Sequence, residues 1–423
     1  MYKKYIKLFI YLVISILILL YLYTLARNGG DFNVFLNASN ALKNNSNIYN
    51  QWFNISDDNY GLYFYSPFFA LILIPLTYLP FQIANLLWLI LNLFFLYRIW
   101  VIVNSFFDFS LFNKKYYWFL QIVTFIFIVR FMLYNFGMIQ MTIFLLYASL
   151  EGITLIMNKN KLSGSILIGL AANIKLLPIL IIPYLFYRNQ IKSGIYTVLF
   201  FVLLLFIPAL FIGFDFNILL LKSWWLSINP ANSIHTFGEV ENGQHSLSAL
   251  IPTLLMETTG NLNFKRNILN LDKQYVSFIL NIVRIILIVF TLYFLKTLPF
   301  KRTKSKLSVF WEISYIFLIT PLLFPHQQKY AFFYILPAVF YVIYFLLYNK
   351  ISNYNDFSLL KSKIVFFLIL LVFMLTTLTT DGIIGRYLNN ITQYYRFITY
   401  GTLFLIIPLS MCNPKYLRTN IID

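Results

Sequence analysis

Apolar and polar positions in this chain fall in long blocks rather than in residue-by-residue alternation. Apolar runs near twenty residues recur between short polar intervals, and a helix needs roughly 20 such residues to cross a bilayer. The runs predict spans over about 5–26, 66–80, 82–104, 116–133, 139–157, 162–187, 194–213, 275–295, 309–324, 329–348, 363–380 and 396–412. The span at 66–80 opens on Ser66-Pro67, where proline is tolerated in the first helical turn. The span at 162–187 is interrupted by Lys175 and Pro178. Two intervals are too long for simple connections, 27–65 and 214–274, and long loops are usually functional. The pattern divides the chain into residues 1–213, the interval 214–274 and residues 275–423. Within the first interval, VFLNASNALKN carries apolar residues at Val34, Leu36, Ala38, Ala41 and Leu42, which suits a short interfacial helix. The fold class is an all-α polytopic membrane protein of about twelve spans.

Composition agrees. Of 423 residues, 60% are hydrophobic, 20% aromatic and 11% charged, where a soluble domain carries about 25% charged residues. The formal charge of +18 would suggest nucleic acid in a soluble domain. Here the lysines and arginines sit between apolar runs, as the positive-inside rule requires, so no nucleic-acid partner is expected. The N-terminal run follows Lys3, Lys4 and Lys7, exceeds a signal-peptide core and lacks an A-x-A cleavage site; it reads as a retained first span. With those lysines in the cytoplasm, strict alternation also puts Arg188, Lys192, the 296–306 cluster, Lys350, Lys361, Lys363, Lys415 and Arg418 inside. The 27–65 and 214–274 intervals then face outward. Lys114, Lys115, Lys159 and Lys161 would fall outside, so either those loops break the rule or the short spans 66–80 and 162–187 are counted wrongly. The lone Cys412 excludes an intramolecular disulfide and a thiolate metal cluster.

No GxxxxGK[ST], GxGxxG or HExxH motif is present. An enzyme facing outward without a nucleotide cradle needs a donor already in the membrane. The candidate residues are polar groups at or in the membrane. Lys175, in LIGLAANIKLLPILIIPYLF, is either a snorkelling lysine at a helix break or a cation for a lipid-linked phosphate. Asp31, after Gly29-Gly30, is either an N-cap for the helix that follows or an external general base. Asp57-Asp58 reads as a metal pair or, more simply, as turn residues. His326, Gln327, Gln328 and Lys329 form a compact run flanked by aromatics, suited to an ordinary interfacial loop or to sugar binding. Gln244-His245 offers similar chemistry from the long loop. Arg130, Asn135 and Gln140, around FGMIQMT, read as structural or functional alike.

The run from Asp31 through DFNVFLNASNAL, the NIY at 47–49 and YFYSPFFALILIPLTYLP at 63–80 resemble the opening of glycosyltransferase family 87. GLAANIKLLPILIIPYLF, QHSLSAL and PHQQKYAFF then resemble later elements of that family in order. Three features depart from its pattern. Its G-Q-x-N appears here as Gly137-Met138-Ile139-Gln140, its histidine pair is reduced to His326 followed by Gln327, and its inner-loop arginines are thinned. These departures bear on the sugar more than on the fold. The resemblance implies a GT-C-type fold with a catalytic first outer loop, and a glycosyltransferase using a polyprenyl-phosphate sugar. It implies an acidic catalytic residue at Asp31. Lys175, His326 and Lys329 are then expected to hold the donor phosphate, and Tyr49, Tyr63, Tyr65, Gln244, His245 and Gln327 to meet sugar or acceptor. No cofactor or metal is expected. The expected reaction moves a hexose, mannose first, to a lipid-linked or cell-envelope glycan on the external face of the plasma (inner) membrane. Rival readings are a flippase or transporter, whose matching broken helices are not evident, and a surface-glycan polymerase or ligase. Outer-loop arginines gripping a diphosphate would favour the latter, but 214–264 holds only Lys222.

Overall fold

In the computed structural model, the described residues are all but 1, 57–58, 230–231, 233–242, 259–261, 263, 296–298, 302–304, 353–356 and 418–423, and the side chains of 2–4, 7 and 8. Asp57 and Asp58, with His235, Glu239 and Glu241 of the long interval, lie outside the described residues.

The chain opens with α1 (Tyr2–Asn28), α2 (Asp31–Lys43) and a hairpin of β1 (Trp52–Ser56) and β2 (Asn59–Leu62), paired antiparallel from Trp52↔Leu62 to Ser56↔Asn59 with an irregularity between Asn54 and Ser56. Next come α3 (Pro67–Leu73), extended by a 3-10 turn to Tyr78, then α4 (Phe81–Ser105), α5 (Lys114–Gly137), α6 (Thr142–Met157) and α7 (Lys161–Ile174). A 3-10 turn, Leu177–Leu180, leads into α8 (Ile181–Tyr187), followed by α9 (Ile191–Phe206), α10 (Ala209–Ile212), α11 (Phe214–Ile228) and α12 (Leu247–Leu255). The remainder is α13 (Lys273–Leu295), α14 (Lys306–Leu323), a 3-10 segment Lys329–Ile335 running into α15 (Leu336–Ser352), α16 (Leu359–Phe373) with a π-helical turn to Leu378, α17 (Asp381–Tyr394) and α18 (Phe397–Met411).

Among the described residues, eight stretches are long and apolar enough to cross a membrane: Phe9–Asn28, Phe81–Ser105, Lys114–Gly137, Ile191–Ile212, Lys273–Leu295, Lys306–Leu323, Lys329–Ser352 and Leu359–Leu378. α14 and α15 are buried on nearly all sides, whereas α1 and α9 expose most of their apolar surface. A helix apolar all round belongs in a core or in lipid, and this chain uses both. Polar starts are set by side-chain caps: Ser66 accepts from Phe69 N (3.2 Å) and Asn113 from Tyr116 N (3.0 Å). Gly152 and Gly164 let α6 and α7 touch backbone to backbone; a Cβ on Gly164 would run into Gly152 O.

Hydrogen bonds identify the two ends of the bundle. At one end, Asp31 N donates to Met138 O (2.9 Å), Ser66 N to Ile174 O (3.3 Å), Asn85 Nδ2 to Ala26 O (3.1 Å) and His245 N to Gln327 O (2.8 Å). At the other, Arg188 binds Glu312 and Leu295 O (3.0 Å), and Phe300 N donates to Tyr187 O (2.8 Å). Tyr344 donates to Asp108 O (2.7 Å) there, and Tyr341 to Cys412 O (2.8 Å).

These ends correct two of the expected spans. Segment 66–80 does not run from one end to the other: Ser66 is tied to α7's last residue, and α4 begins beside the end of α1, so both ends of Pro67–Tyr78 lie at the Asp31 end. Segment 162–187 is not one span either. Lys175 breaks it with extended backbone (φ −147°, ψ 133°), and α8 returns toward Arg188. The two changes cancel in number and invert the order between them. Lys114, Lys115, Lys159 and Lys161 thereby join Lys192, Lys301, Lys306, Lys350, Lys361, Lys363 and Lys415 at the end opposite Asp31. The 214–274 interval is also less loop-like than expected, since α11 and α12 occupy part of it.

Candidate active site

The first turn of α2 places Asp31. Gly29 has φ +73°, and a Cβ on Gly30 would lie 2.7 Å from Met138 O, so the glycine pair lets α1 turn sharply against the α5–α6 connection. Asn33 Nδ2 donates to Ile55 O (2.8 Å), and Asn85 Nδ2 to Asn33 Oδ1 (3.0 Å), strapping the turn to the hairpin and to α4. Asp31 is not the helix cap: Gly30 holds that position, without a side-chain bond, and Asp31 is the first helical residue. Its carboxylate instead accepts from Gln140 Nε2.

Gln140 is held from every side. Ile139 before it adopts φ 49°, Gln140 N donates to Asn135 O (3.0 Å), and its carbonyl accepts from Trp88 Nε1 (3.2 Å). Its Oε1 accepts from Tyr65 Oη (2.9 Å) and Met141 N (3.3 Å), which leaves the amide nitrogen aimed at Asp31. Burial raises the Asp31 carboxyl from 3.8 to about 6, with the Gln140 hydrogen bond and the positive charge of Lys175 pulling partly back.

Ser66 and Asn173 bring Tyr65 and Lys175 together. Ser66 Oγ donates to Asn173 Oδ1 (2.9 Å) while Ser66 N reaches Ile174 O. The YSP turn is thus bolted to the end of α7, one residue from Lys175. The Lys175 ammonium lies 5.2 Å from the Tyr65 ring centroid and 5.1 Å from that of Tyr330, within cation–π range of both. It is 8% exposed, so it does not snorkel out to water. Asp31, Gln140, Tyr65 and Lys175 form one contiguous set.

His326 lies beside this set. It has φ 59°, stacks on Phe64 at 4.2 Å and 15°, and its Nε2 is 3.3 Å from Ser227 O. A carbonyl accepts only, so that nitrogen carries a proton. A cleft of about 30 Å³, lined by Phe64, Lys175, Ile228, Pro325, His326 and Gln327 among others, joins His326 to Lys175 and has room for one or two waters. Lys329 is one step further on, 5.0 Å from the Tyr134 ring; Tyr134 Oη donates to Gln328 Oε1 (3.1 Å) and stacks on Tyr330.

Of the other expected contact residues, Tyr49 and Tyr63 have their side-chain hydroxyls bonded within the scaffold. Tyr49 Oη donates to Tyr65 O (2.7 Å) and Tyr63 Oη to Ser66 O (2.9 Å), and both side chains are buried. Their hydroxyls shape the YFYSP turn. Gln327 donates to Pro325 O (2.5 Å). Gln244 O accepts from Arg396 Nη1 (2.7 Å), and His245 O from Thr399 Oγ1 (2.7 Å). The His245 ring is fully buried, and both its nitrogens lack a hydrogen-bond partner among the described residues. Burial and the nearby charges of Arg396, Lys329 and Arg130 hold its pKa well below the usual histidine range, so it is neutral. Among the described residues, no group of three or more His, Cys, Asp or Glu side chains is placed to share a metal ion.

The sequence left Gln140 open between a structural and a functional role, and Tyr134 and Tyr330 were not among the expected site residues. Gln140 stands at the asparagine place of the G-Q-x-N pattern rather than at its glutamine place, and the φ 49° kink at Ile139 precedes the amide that meets Asp31. The two tyrosines gave no signal among 32 tyrosines. Arg130 binds Thr376 O (2.7 Å) and Thr379 Oγ1 (2.6 Å), fastening the π-helical turn to α5.

Comparison with curated proteins and with solved structures finds no match. The family model of glycosyltransferase family 87 matches residues 63–303. That range includes Tyr63, Tyr65, Gln140, Lys175, Gln244 and His245, and leaves Asp31, Tyr49, His326, Gln327 and Lys329 outside it. The match spans more than half of a chain with several apolar helices of membrane-crossing length: this multi-pass membrane protein belongs to glycosyltransferase family 87 and is a glycosyltransferase.

Proposed function

We propose that the enzyme moves a hexose, most simply mannose, from a polyprenyl-phosphate donor to a lipid-linked or cell-envelope glycan acceptor, with Asp31 as general base. The observation that carries this is the Asp31 carboxylate, fixed by Gln140, with a pKa of about 6 and the Lys175 ammonium across the Tyr65 ring. Such a carboxylate is ionised at neutral pH yet basic enough to take a proton in a transition state. The reaction is a direct displacement. The acceptor oxygen forms a bond to the anomeric carbon as the bond from that carbon to the phosphate oxygen breaks. The acceptor proton passes to Asp31, and the bonding pair leaves with the polyprenyl phosphate. Lys175, with His326 and Lys329 behind it, stabilises the leaving phosphate electrostatically. In this reading no metal or further cofactor takes part.

The site faces away from the cytoplasm in this proposal. Lys114, Lys115, Lys159, Lys161, Lys192, Lys301, Lys306, Lys350, Lys361, Lys363 and Lys415 gather at the end opposite Asp31, and lysine-rich connections stay on the cytoplasmic side. An outward site in the plasma (inner) membrane has little access to nucleotides, which favours a lipid-borne donor. The test is a membrane assay with labelled polyprenyl-phosphate mannose, glucose and arabinose in competition. Transfer from the mannose donor supports the proposal; transfer from a nucleotide sugar with none from any of the three removes it.

A further inference from the structure

An apolar cavity lies far from Asp31, in the outer face of the bundle between α5, α15 and α16. It holds about 500 Å³ and is lined by Phe119 and Ile126 from α5, Ile343 and Lys350 from α15, and Phe366 and Leu370 from α16, with apolar neighbours of the same helices. Phe119, Ile126, Phe366 and Leu370 are between 38% and 55% exposed, so the groove opens sideways to whatever surrounds the bundle. Its volume falls in the range of ligand-sized sites. The groove is asymmetric along its length. Its Asp31-side limit is Phe127 against Phe373, where Thr377 Oγ1 donates to Phe127 O (2.6 Å) and closes the two helices together. At its other end Lys350 lines the wall. Lys115 stands four residues before Phe119, and Lys363 three before Phe366, so each continues its helix's groove face by one turn. Lys350 thus ends the apolar wall on α15, and the helical repeat puts Lys115 and Lys363 on the groove faces of α5 and α16.

The geometry points to a site for an anionic glycerophospholipid of the lysine-side leaflet, with an acyl chain in the groove and the phosphate among Lys115, Lys350 and Lys363. Basic pockets between membrane helices on the cytoplasmic side take acidic headgroups. The donor is a poorer fit, because its phosphate must reach Lys175 at the opposite end. That exclusion of the donor rests on the proposed function, while the lipid readout involves no sugar transfer.

The test is native mass spectrometry of the full-length protein exchanged into mixed phosphatidylcholine and phosphatidylglycerol. Wild type is expected to retain phosphatidylglycerol preferentially. Each lysine near an anionic headgroup is worth a factor of about five, so K115Q/K350Q/K363Q lowers that preference on the order of a hundredfold. L370W, which fills the groove, loses retained lipid of either kind. If the triple variant does not fold, K350Q alone shows the loss in proportion. Equal retention of the two lipids by wild type overturns the site, as does undiminished preference in the lysine variants. Displacement of phosphatidylglycerol by added polyprenyl phosphate also overturns it and gives the groove to the donor.

Discussion

At the scale of single residues, the proposed reaction depends on one carboxylate whose burial works against the fold and for that chemistry. The Asp31 carboxyl is raised from 3.8 to about 6, so its ionisation is harder in the folded protein than in the unfolded chain. The resulting destabilisation is absent below about pH 4, grows between the two values and is complete above about pH 6. Asp31→Asn is therefore expected to raise the melting temperature at pH 7.5 and to leave it unchanged at pH 4, while transfer falls by about 10²–10⁴-fold. The wild-type rate should rise with pH through about 6. Gln140→Leu removes a hydrogen bond that favours the ionised form, so this acid limb moves to higher pH and turnover drops on the order of tenfold to a hundredfold. A limb that stays in place in a folded Gln140→Leu protein would detach Gln140 from Asp31. Lys175→Met should move the limb the same way, because the ammonium also favours the carboxylate, and should weaken donor affinity by about ten- to a hundredfold. An unaltered KM for donor would return Lys175 to a structural role.

At the scale of elements, the parts legible in sequence are those with a local cause. Ser66-Pro67 caps α3 as its residues foretell, and the eight long apolar stretches follow from hydropathy alone. Segments 66–80 and 162–187 misled because apolar length says nothing of direction. Their true paths rest on Ser66 meeting Asn173 and Arg188 meeting Glu312, pairs more than a hundred residues apart. The lysines at 114, 115, 159 and 161 signalled the fault, since charge records sidedness that hydropathy does not. In the site, Lys175 was visible as a charge inside an apolar run and Asp31 through the family resemblance, whereas the carbonyl partners of Tyr49 and Tyr63 are invisible in sequence. The α6–α7 contact offers a test of the packing. Gly164→Val forces a side chain into Gly152 O and should cost about 1–3 kcal/mol or more, read as a lower melting temperature with the pH limb unchanged. An unaltered melting temperature would mean that α6 and α7 do not meet at these glycines.

At the scale of the molecule, buried α14 and α15 carry the peripheral helices around them, and the polar chemistry collects at one end. Loops between these helices at that end bring together residues from 29 to 329, which explains why the site could not be read from any single stretch. Sidedness can be measured directly. In a Cys412→Ser background, a cysteine at Asn158 or Ser110 should react with an impermeant maleimide only after the cytoplasmic face is opened. A cysteine at Asn50 should react in intact cells. The reverse labelling would place Asp31 in the cytoplasm and make a nucleotide donor reasonable again.

The most direct test is transfer of labelled sugar from a polyprenyl-phosphate donor by purified wild type and Asp31→Asn across pH 5–8. The account predicts wild-type transfer that rises through about pH 6, and a loss of about 10²–10⁴-fold with no such acid limb in a folded Asp31→Asn protein. Near wild-type transfer by that variant, with the same acid limb, would contradict it.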